Sequence, residues 1–204
     1  MKYKAVLFDF GGVIELNAGK GMLEAIAGLL HVPPEDFKKA YFDHNHLSNV
    51  HNMKWKDMMK EVVRVFDKSK AAEKRVMELV EERESKKTMN VELLKLFPTL
   101  RREGYKVAIL SNNTSDLRKF LEEKGIDKLV DEIIVSAEIG FQKPHKEAFD
   151  VAFKKLGIQA EEAVFVDDST KSLEKAAEIG YYPILFENNE ELKLALKSIG
   201  IATQ

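Results

Sequence analysis

The stretch Ala5-Val6-Leu7-Phe8-Asp9-Phe10-Gly11-Gly12-Val13-Ile14 decides how the rest of the chain is read. Its opening apolar run is short, β-branched and aromatic in part, as in a strand covered on both faces. The run ends in a carboxylate, and two glycines follow within three residues. An acid aimed past the carboxyl end of a strand, with small residues beside it, suits the rim of an open parallel sheet, where ligands of such folds bind.

Four later segments repeat the pattern of the first: Tyr105-Lys106-Val107-Ala108-Ile109-Leu110, Glu132-Ile133-Ile134-Val135, Ala163-Val164-Phe165-Val166 and Tyr182-Pro183-Ile184-Leu185-Phe186. Helical spacings lie between them. Leu117, Phe120 and Leu121 form one apolar stripe, Phe149, Phe153 and Leu156 a second, and Leu173, Ala176 and Ala177 a third on a shorter helix. Gly125, Gly157 and Gly180 each stand at a helix end before an apolar residue, where a left-handed C-cap is expected. A final amphipathic helix carries Leu192, Leu194, Leu196 and Ile199. Strands alternating with helices from about residue 91 predict an α/β fold, a Rossmann-like doubly wound parallel sheet.

Residues 15–88 break the rhythm, because their periodicity is helical only. Leu23, Ile26, Ala27 and Leu30, then Phe37, Ala40 and Tyr41, then Met59, Val62, Val63 and Phe66, then Val76, Leu79 and Val80 mark four amphipathic helices. They read as a small helical-bundle cap inserted into the core, with residues 1–14 and 89–204 forming the core and 15–88 the cap.

The chain of 204 residues is 45% hydrophobic and 32% charged with a formal net charge of -2, a globular composition without a nucleic-acid or anionic-membrane signature. It has no Cys, which excludes disulfides, thiolate metal sites and Cys nucleophiles. No apolar stretch approaches the roughly 20 residues of a membrane helix, and no signal-peptide pattern opens the chain, so a cytoplasmic protein acting as a monomer or homodimer is expected.

The residues after each strand carry the chemistry. Asp9 follows the first; Ser111-Asn112-Asn113-Thr114 the second; Ser136, Gly140 and Lys143-Pro144 the third; Asp167-Asp168-Ser169 the fourth. Each has an ordinary role as well. Asp9 can begin a turn, Ser111 and its neighbours can cap a helix, and Lys143 can be solvated. Pro144 suits a first helical position, which would set Lys143 against the positive end of a helix dipole unless an anion lies close. Two adjacent carboxylates repel unless a cation intervenes, and all-oxygen ligation favours Mg²⁺. Taken together, a carboxylate nucleophile, a hydroxyl, an ammonium and an acidic pair suit phosphoryl transfer, where positioning and charge neutralisation dominate. Gly11 and Gly12 would let backbone N–H groups approach phosphate oxygens.

Four motifs in order, FDFGGV at 8–13, LSNN at 110–113, GFQKP at 140–144 and FVDDS at 165–169, resemble the haloacid dehalogenase (HAD)-like hydrolase superfamily, in the subgroup with a helical cap between its first two motifs. The resemblance covers nearly the whole chain and implies a HAD core. It further implies that Asp9 is the phosphorylated nucleophile, Ser111 holds the transferring phosphoryl group, Asn112 binds substrate next to it, and Lys143 neutralises charge. Mg²⁺ would be bound by Asp9, Asp167, Asp168 and the carbonyl of Gly11.

The motif departs from most HAD phosphatases at Gly11, where a second Asp usually serves as general acid and base. A positioned acid or base is typically worth about 10²–10⁴ in rate. A phosphatase acting on a small phosphorylated metabolite with a good leaving group, such as a sugar-1-phosphate or an acyl phosphate, tolerates the loss. Two alternatives are a 2-haloacid dehalogenase, which the acidic pair at 167–168 disfavours, and a catalytically weak binding or interaction protein. Glu15, His44 and His46 are candidate substitute acids. Substrate choice is expected from the cap, in the segment from Tyr41 to Asn52 and at Trp55, with His44 and His46 at the substrate.

Overall fold

The computed structural model describes residues 2–17 and 21–203; positions 18–20 of the expected cap lie outside the described residues. In chain order the elements are β1 (Ala5–Phe8), β2 (Glu15–Leu16), α1 (Met22–Leu30), α2 (Pro34–His44), α3 (His46–Asn49), α4 (Trp55–Phe66), α5 (Lys70–Glu84) and β3 (Thr88–Met89). They continue with α6 (Val91–Arg102), β4 (Lys106–Ser111), α7 (Asp116–Glu123), β5 (Glu132–Val135), α8 (Ser136–Ile139), α9 (Lys146–Leu156) and β6 (Ala163–Asp167). The last are α10 (Thr170–Leu173), α11 (Ala176–Ile179), β7 (Tyr182–Leu185) and α12 (Asn189–Ser198).

Among the described residues, β1, β4, β5, β6 and β7 form a five-stranded sheet in the order β5-β4-β1-β6-β7. Every pairing is parallel, with Phe8 beside Ile109 on one side and Val166 on the other. The predicted doubly wound α/β fold is the observed one. Strand side chains alternate between two cores. Val6, Phe8, Val107, Ile109, Val164 and Val166 pack against α6, α7 and α12. Ala5, Leu7, Ala108, Leu110 and Phe165 pack against α9 and α11 on the opposite face. Coverage of both faces explains the unbroken apolar runs. Because β1 is central, its carboxyl end opens at the middle of one sheet edge, flanked by the ends of β4 and β6.

The helix ends follow local chemistry. Gly125, Gly157 and Gly180 take φ values of 70°, 63° and 104° after α7, α9 and α11, the left-handed turn read from the sequence. The stripe of Leu173, Ala176 and Ala177 does not lie on one helix: α10 and α11 are separate single turns either side of Glu174-Lys175. In α12 the i, i+4 pair Leu192 and Leu196 is buried, whereas Leu194 falls on the solvent side.

Helices α1, α2, α4 and α5 match the four expected amphipathic segments, and they bury a cluster of their own that includes Ile26, Phe37, Met59, Val62, Val76 and Val80. Two features were not read from the sequence. The short α3 follows α2 almost continuously, and β2 pairs antiparallel with β3 to form a two-stranded neck beneath the helices. Strands of two residues carry too little periodicity to register in a sequence pattern. Among the described residues no helix is long and apolar enough to cross a membrane.

Candidate active site

Asp9 continues the direction of β1, and its backbone N–H donates to the Val166 carbonyl at 2.9 Å, which seats it beside the end of β6. Asp167 closes β6 with its side chain fully buried. Between these two acids stands Lys143. Its Nζ lies 2.9 Å from Asp9 Oδ1 and 2.6 Å from Asp167 Oδ2, and its side chain is only 1% exposed. The ammonium also lies 4.9 Å from the centre of the Phe165 ring, whose face favours a cation. Lys143 is therefore not a solvated surface lysine. Nor does Pro144 open the next helix: α9 begins at Lys146, and the Lys143–Pro144 peptide is cis. The anions that compensate the lysine are the two strand-end carboxylates.

Two elements hold this lysine in place. Its backbone N–H donates to Asn112 Oδ1 at 2.8 Å, and its carbonyl accepts from Asn112 Nδ2 at 2.9 Å. Asp167 Oδ1 accepts from the Ser169 N–H at 2.8 Å, leaving Oδ2 for the lysine. Ser111 ends β4 and is buried at this rim.

Burial pushes the Asp9 carboxyl up to about 7; Lys143 pulls it down and the Asp167 charge pushes it up. Burial disfavours the Lys143 ammonium, but Asp9 and Asp167 outweigh it and hold the lysine above its usual value. Asp9, Asp167 and Asp168 each offer a carboxylate oxygen, and these lie within 4.8 Å of one another. Three carboxylates against one ammonium leave a formal charge of -2 when all are ionised. An all-oxygen donor set of this kind fits Mg²⁺.

The glycines make the space. Gly12 has φ 82°, and a Cβ there would fall 2.0 Å from an Asp168 carboxylate oxygen. Its N–H donates to the Glu15 carbonyl at 2.8 Å, while Ile14 and Glu15 both donate to the Phe10 carbonyl, so residues 10–15 close into a tight turn.

A cleft of about 1440 Å³ opens over this rim. Gly11, Gly12, Asn112 and Asp168 line its floor, and Tyr41, Asn45, Asn49, Lys54 and Trp55 line its roof. Side-chain hydrogen bonds join roof and floor. Asn49 Nδ2 donates to Gln142 Oε1 at 3.0 Å, the Ser115 N–H donates to Asn52 Oδ1 at 2.8 Å, and Asn52 Nδ2 donates to Ser115 Oγ at 2.9 Å.

The family model for haloacid dehalogenase-like hydrolases matches residues 6–185. The chain belongs to that family. It is 34% identical over 89 residues to the glyceraldehyde 3-phosphate phosphatase of Methanocaldococcus jannaschii, covering 43% of this chain and 39% of that one. It is 33% identical over 94 residues to the ribulose-1,5-bisphosphate 5-phosphatase of Halopiger xanaduensis, covering 45% and 39%. The matched part spans 36% to 39% of the length of the first curated relatives. Among solved structures, a HAD-family enzyme from Bacteroides thetaiotaomicron, in complex with magnesium and inorganic phosphate, superposes with a TM-score of 0.64 at 20% identity, covering 93% of this chain and 98% of that one. At that identity the likeness concerns the fold.

In this HAD-like hydrolase the fold gathers Asp9, Lys143, Asp167 and Asp168 into one cluster. Asn112 lies at the same rim, but its side-chain amide is turned to the Lys143 backbone. His44 and His46 do not line the cleft. His44 Nδ1 lies 2.7 Å from the Ala40 carbonyl in its own helix, and the His46 ring packs edge-on against His51. The spacing explains it: His44 continues the inward stripe of Phe37 and Ala40, whereas Tyr41, Asn45 and Asn49 continue the neighbouring stripe toward the core. Sorting the cap segment by helical stripe, rather than by residue chemistry, would have found these roof residues.

Proposed function

We propose that the protein is a Mg²⁺-dependent phosphatase that hydrolyses a small phosphorylated metabolite through an aspartyl-phosphate on Asp9. The observation that carries the reading is the fully buried Lys143 ammonium between Asp9 and Asp167, which costs too much desolvation to serve as ordinary packing. The phosphatase relatives, each matched over less than half of this chain, support the same chemistry.

In this reading Asp9, Asp167, Asp168 and the Gly11 carbonyl hold the metal, which when bound supplies charge neutralisation at the phosphoryl oxygens. Asp9 attacks phosphorus, an oxygen–phosphorus bond forms, and the bond to the leaving group breaks. Lys143 offsets charge that would otherwise repel the incoming phosphate, and Ser111 and the backbone around Gly11 and Gly12 orient it. Water then attacks the phosphorus of the aspartyl-phosphate, its proton is released, and Asp9 is regenerated with free phosphate.

Gly11 offers no proton to the departing group. The substrate is therefore one whose leaving group departs with little protonation, such as a sugar-1-phosphate or an acyl phosphate. The roof, with Tyr41 and Trp55 beside the amides of Asn45 and Asn49, suits a hydroxyl-bearing group.

An aryl-phosphate assay with and without Mg²⁺ tests the reaction class. Turnover that disappears on chelation is expected; metal-independent halide release from a 2-haloacid, or ligand binding with neither activity, would replace the phosphatase reading. Comparing sugar-1-phosphates and acyl phosphates with alkyl phosphates then tests the leaving-group argument.

A further inference from the structure

Asn112 follows Ser111, and a carboxamide at the rim of a phosphate site reads at first as a substrate contact. Its geometry gives it another task. The carboxamide presents one acceptor and one donor edge to the same residue: Oδ1 takes the Lys143 N–H at 2.8 Å and Nδ2 donates to the Lys143 carbonyl at 2.9 Å. A side-chain amide paired in this way mimics a strand partner for a single residue. It spans 31 positions of sequence and ties the loop after α8 to the end of β4. The loop carries no regular hydrogen-bond ladder of its own at Lys143, because Pro144 has no N–H and α9 begins only at Lys146.

We infer that Asn112 is a positioning residue for Lys143. It fixes the main chain from which the ammonium reaches both Asp9 and Asp167. Those two contacts, 2.9 Å and 2.6 Å, leave little latitude, since a displacement of about 1 Å in such a constellation costs on the order of 10²-fold in rate. The role concerns placement of charge: one N–H and one oxygen lone pair of the carboxamide are committed to the Lys143 main chain, and the role does not require the substrate to touch it.

The inference rests on the phosphatase reading, so its test is a double-mutant cycle with two readouts. Wild type, Asn112→Ala, Lys143→Ala and the double variant are compared for kcat and KM on an aryl phosphate with Mg²⁺. The same four are compared for affinity toward inorganic phosphate with Mg²⁺ by calorimetry. Asn112→Ala is expected to lower kcat by roughly 10²-fold with KM within about twofold. Once Lys143 is absent, removing Asn112 as well should cost almost nothing more in either readout. Lys143→Arg and Asn112→Ser serve in the cycle if an alanine variant does not fold.

A rise in KM with kcat retained would make Asn112 a substrate contact, and losses that multiply in the double variant would separate it from Lys143; either overturns the inference. Wild type without turnover would overturn the phosphatase reading, and the phosphate-affinity cycle would still decide the role of Asn112.

Discussion

At Lys143 a single ammonium serves two carboxylates that would otherwise repel each other across the rim of the sheet. With all three groups ionised the two carboxylates and the ammonium carry a formal charge of -1, and the Asp168 carboxylate lies beside them. A site of this charge should bind its cation in competition with protons. Burial holds Asp9 near 7 in the metal-free protein, so below that pH the carboxyl is protonated and metal binding must displace the proton. Mg²⁺ affinity is therefore expected to level off above about pH 7 and to fall by roughly tenfold per unit below it, measured by calorimetric titration between about pH 5 and pH 8. Affinity independent of pH in that window would contradict the raised Asp9 carboxyl. Gly12 gives a second test at this scale. An alanine there meets a φ of 82°, a conformation costing roughly 1–2 kcal/mol for an L-residue, and displaces the Asp168 carboxylate. Gly12→Ala should weaken Mg²⁺ binding at least tenfold while the far-ultraviolet circular dichroism stays native.

At the scale of elements, the strands were legible because a strand covered on both faces has nowhere to place a polar residue until it ends. The residues at those ends were legible for the same reason: Asp9, Ser111 and Asp167 interrupt or follow apolar runs. Lys143 and Asn112 sit in loops, and their pairing depends on a three-dimensional approach between β4 and the turn before α9 that no local period encodes. In the cap, Tyr41, Asn45 and Asn49 line the cleft, whereas His44 and His46, expected there from their chemistry, contact Ala40 and His51. What joins roof to floor is equally non-local. Asn52 takes φ 59°, a left-handed conformation Asn tolerates, and from there exchanges hydrogen bonds with Ser115 at the start of α7. Asn52→Gly keeps that backbone and removes the latch. Two hydrogen bonds at about 0.5–1 kcal/mol net each amount to about 1–2 kcal/mol, a factor of roughly 5 to 30. KM for a phosphorylated substrate is expected to rise within that range with kcat nearly unchanged, measured by steady-state kinetics. An unchanged KM would mean that the Asn52–Ser115 contact contributes nothing to holding substrate.

The whole molecule divides its labour along one edge of the sheet. The order β5-β4-β1-β6-β7 puts β1 at the centre, so the acid at its end is flanked by the groups that would hold phosphate and metal, while the helical insertion leaves the same strand and roofs the cleft. Sequence alone carries the first half of this arrangement, since motif order and strand order are coupled by right-handed crossovers. The second half, which cap residues face the site, follows from packing between parts distant in sequence. In the proposed reaction Asp9 becomes covalently phosphorylated. The most direct test is acid quenching of the protein during turnover of a phosphorylated substrate with Mg²⁺, followed by peptide mapping by mass spectrometry. One phosphoryl group on the peptide and side chain of Asp9 is expected, lost on chelation and in Asp9→Asn. Sustained phosphate release with Asp9 never modified, or undiminished in Asp9→Asn, would contradict it.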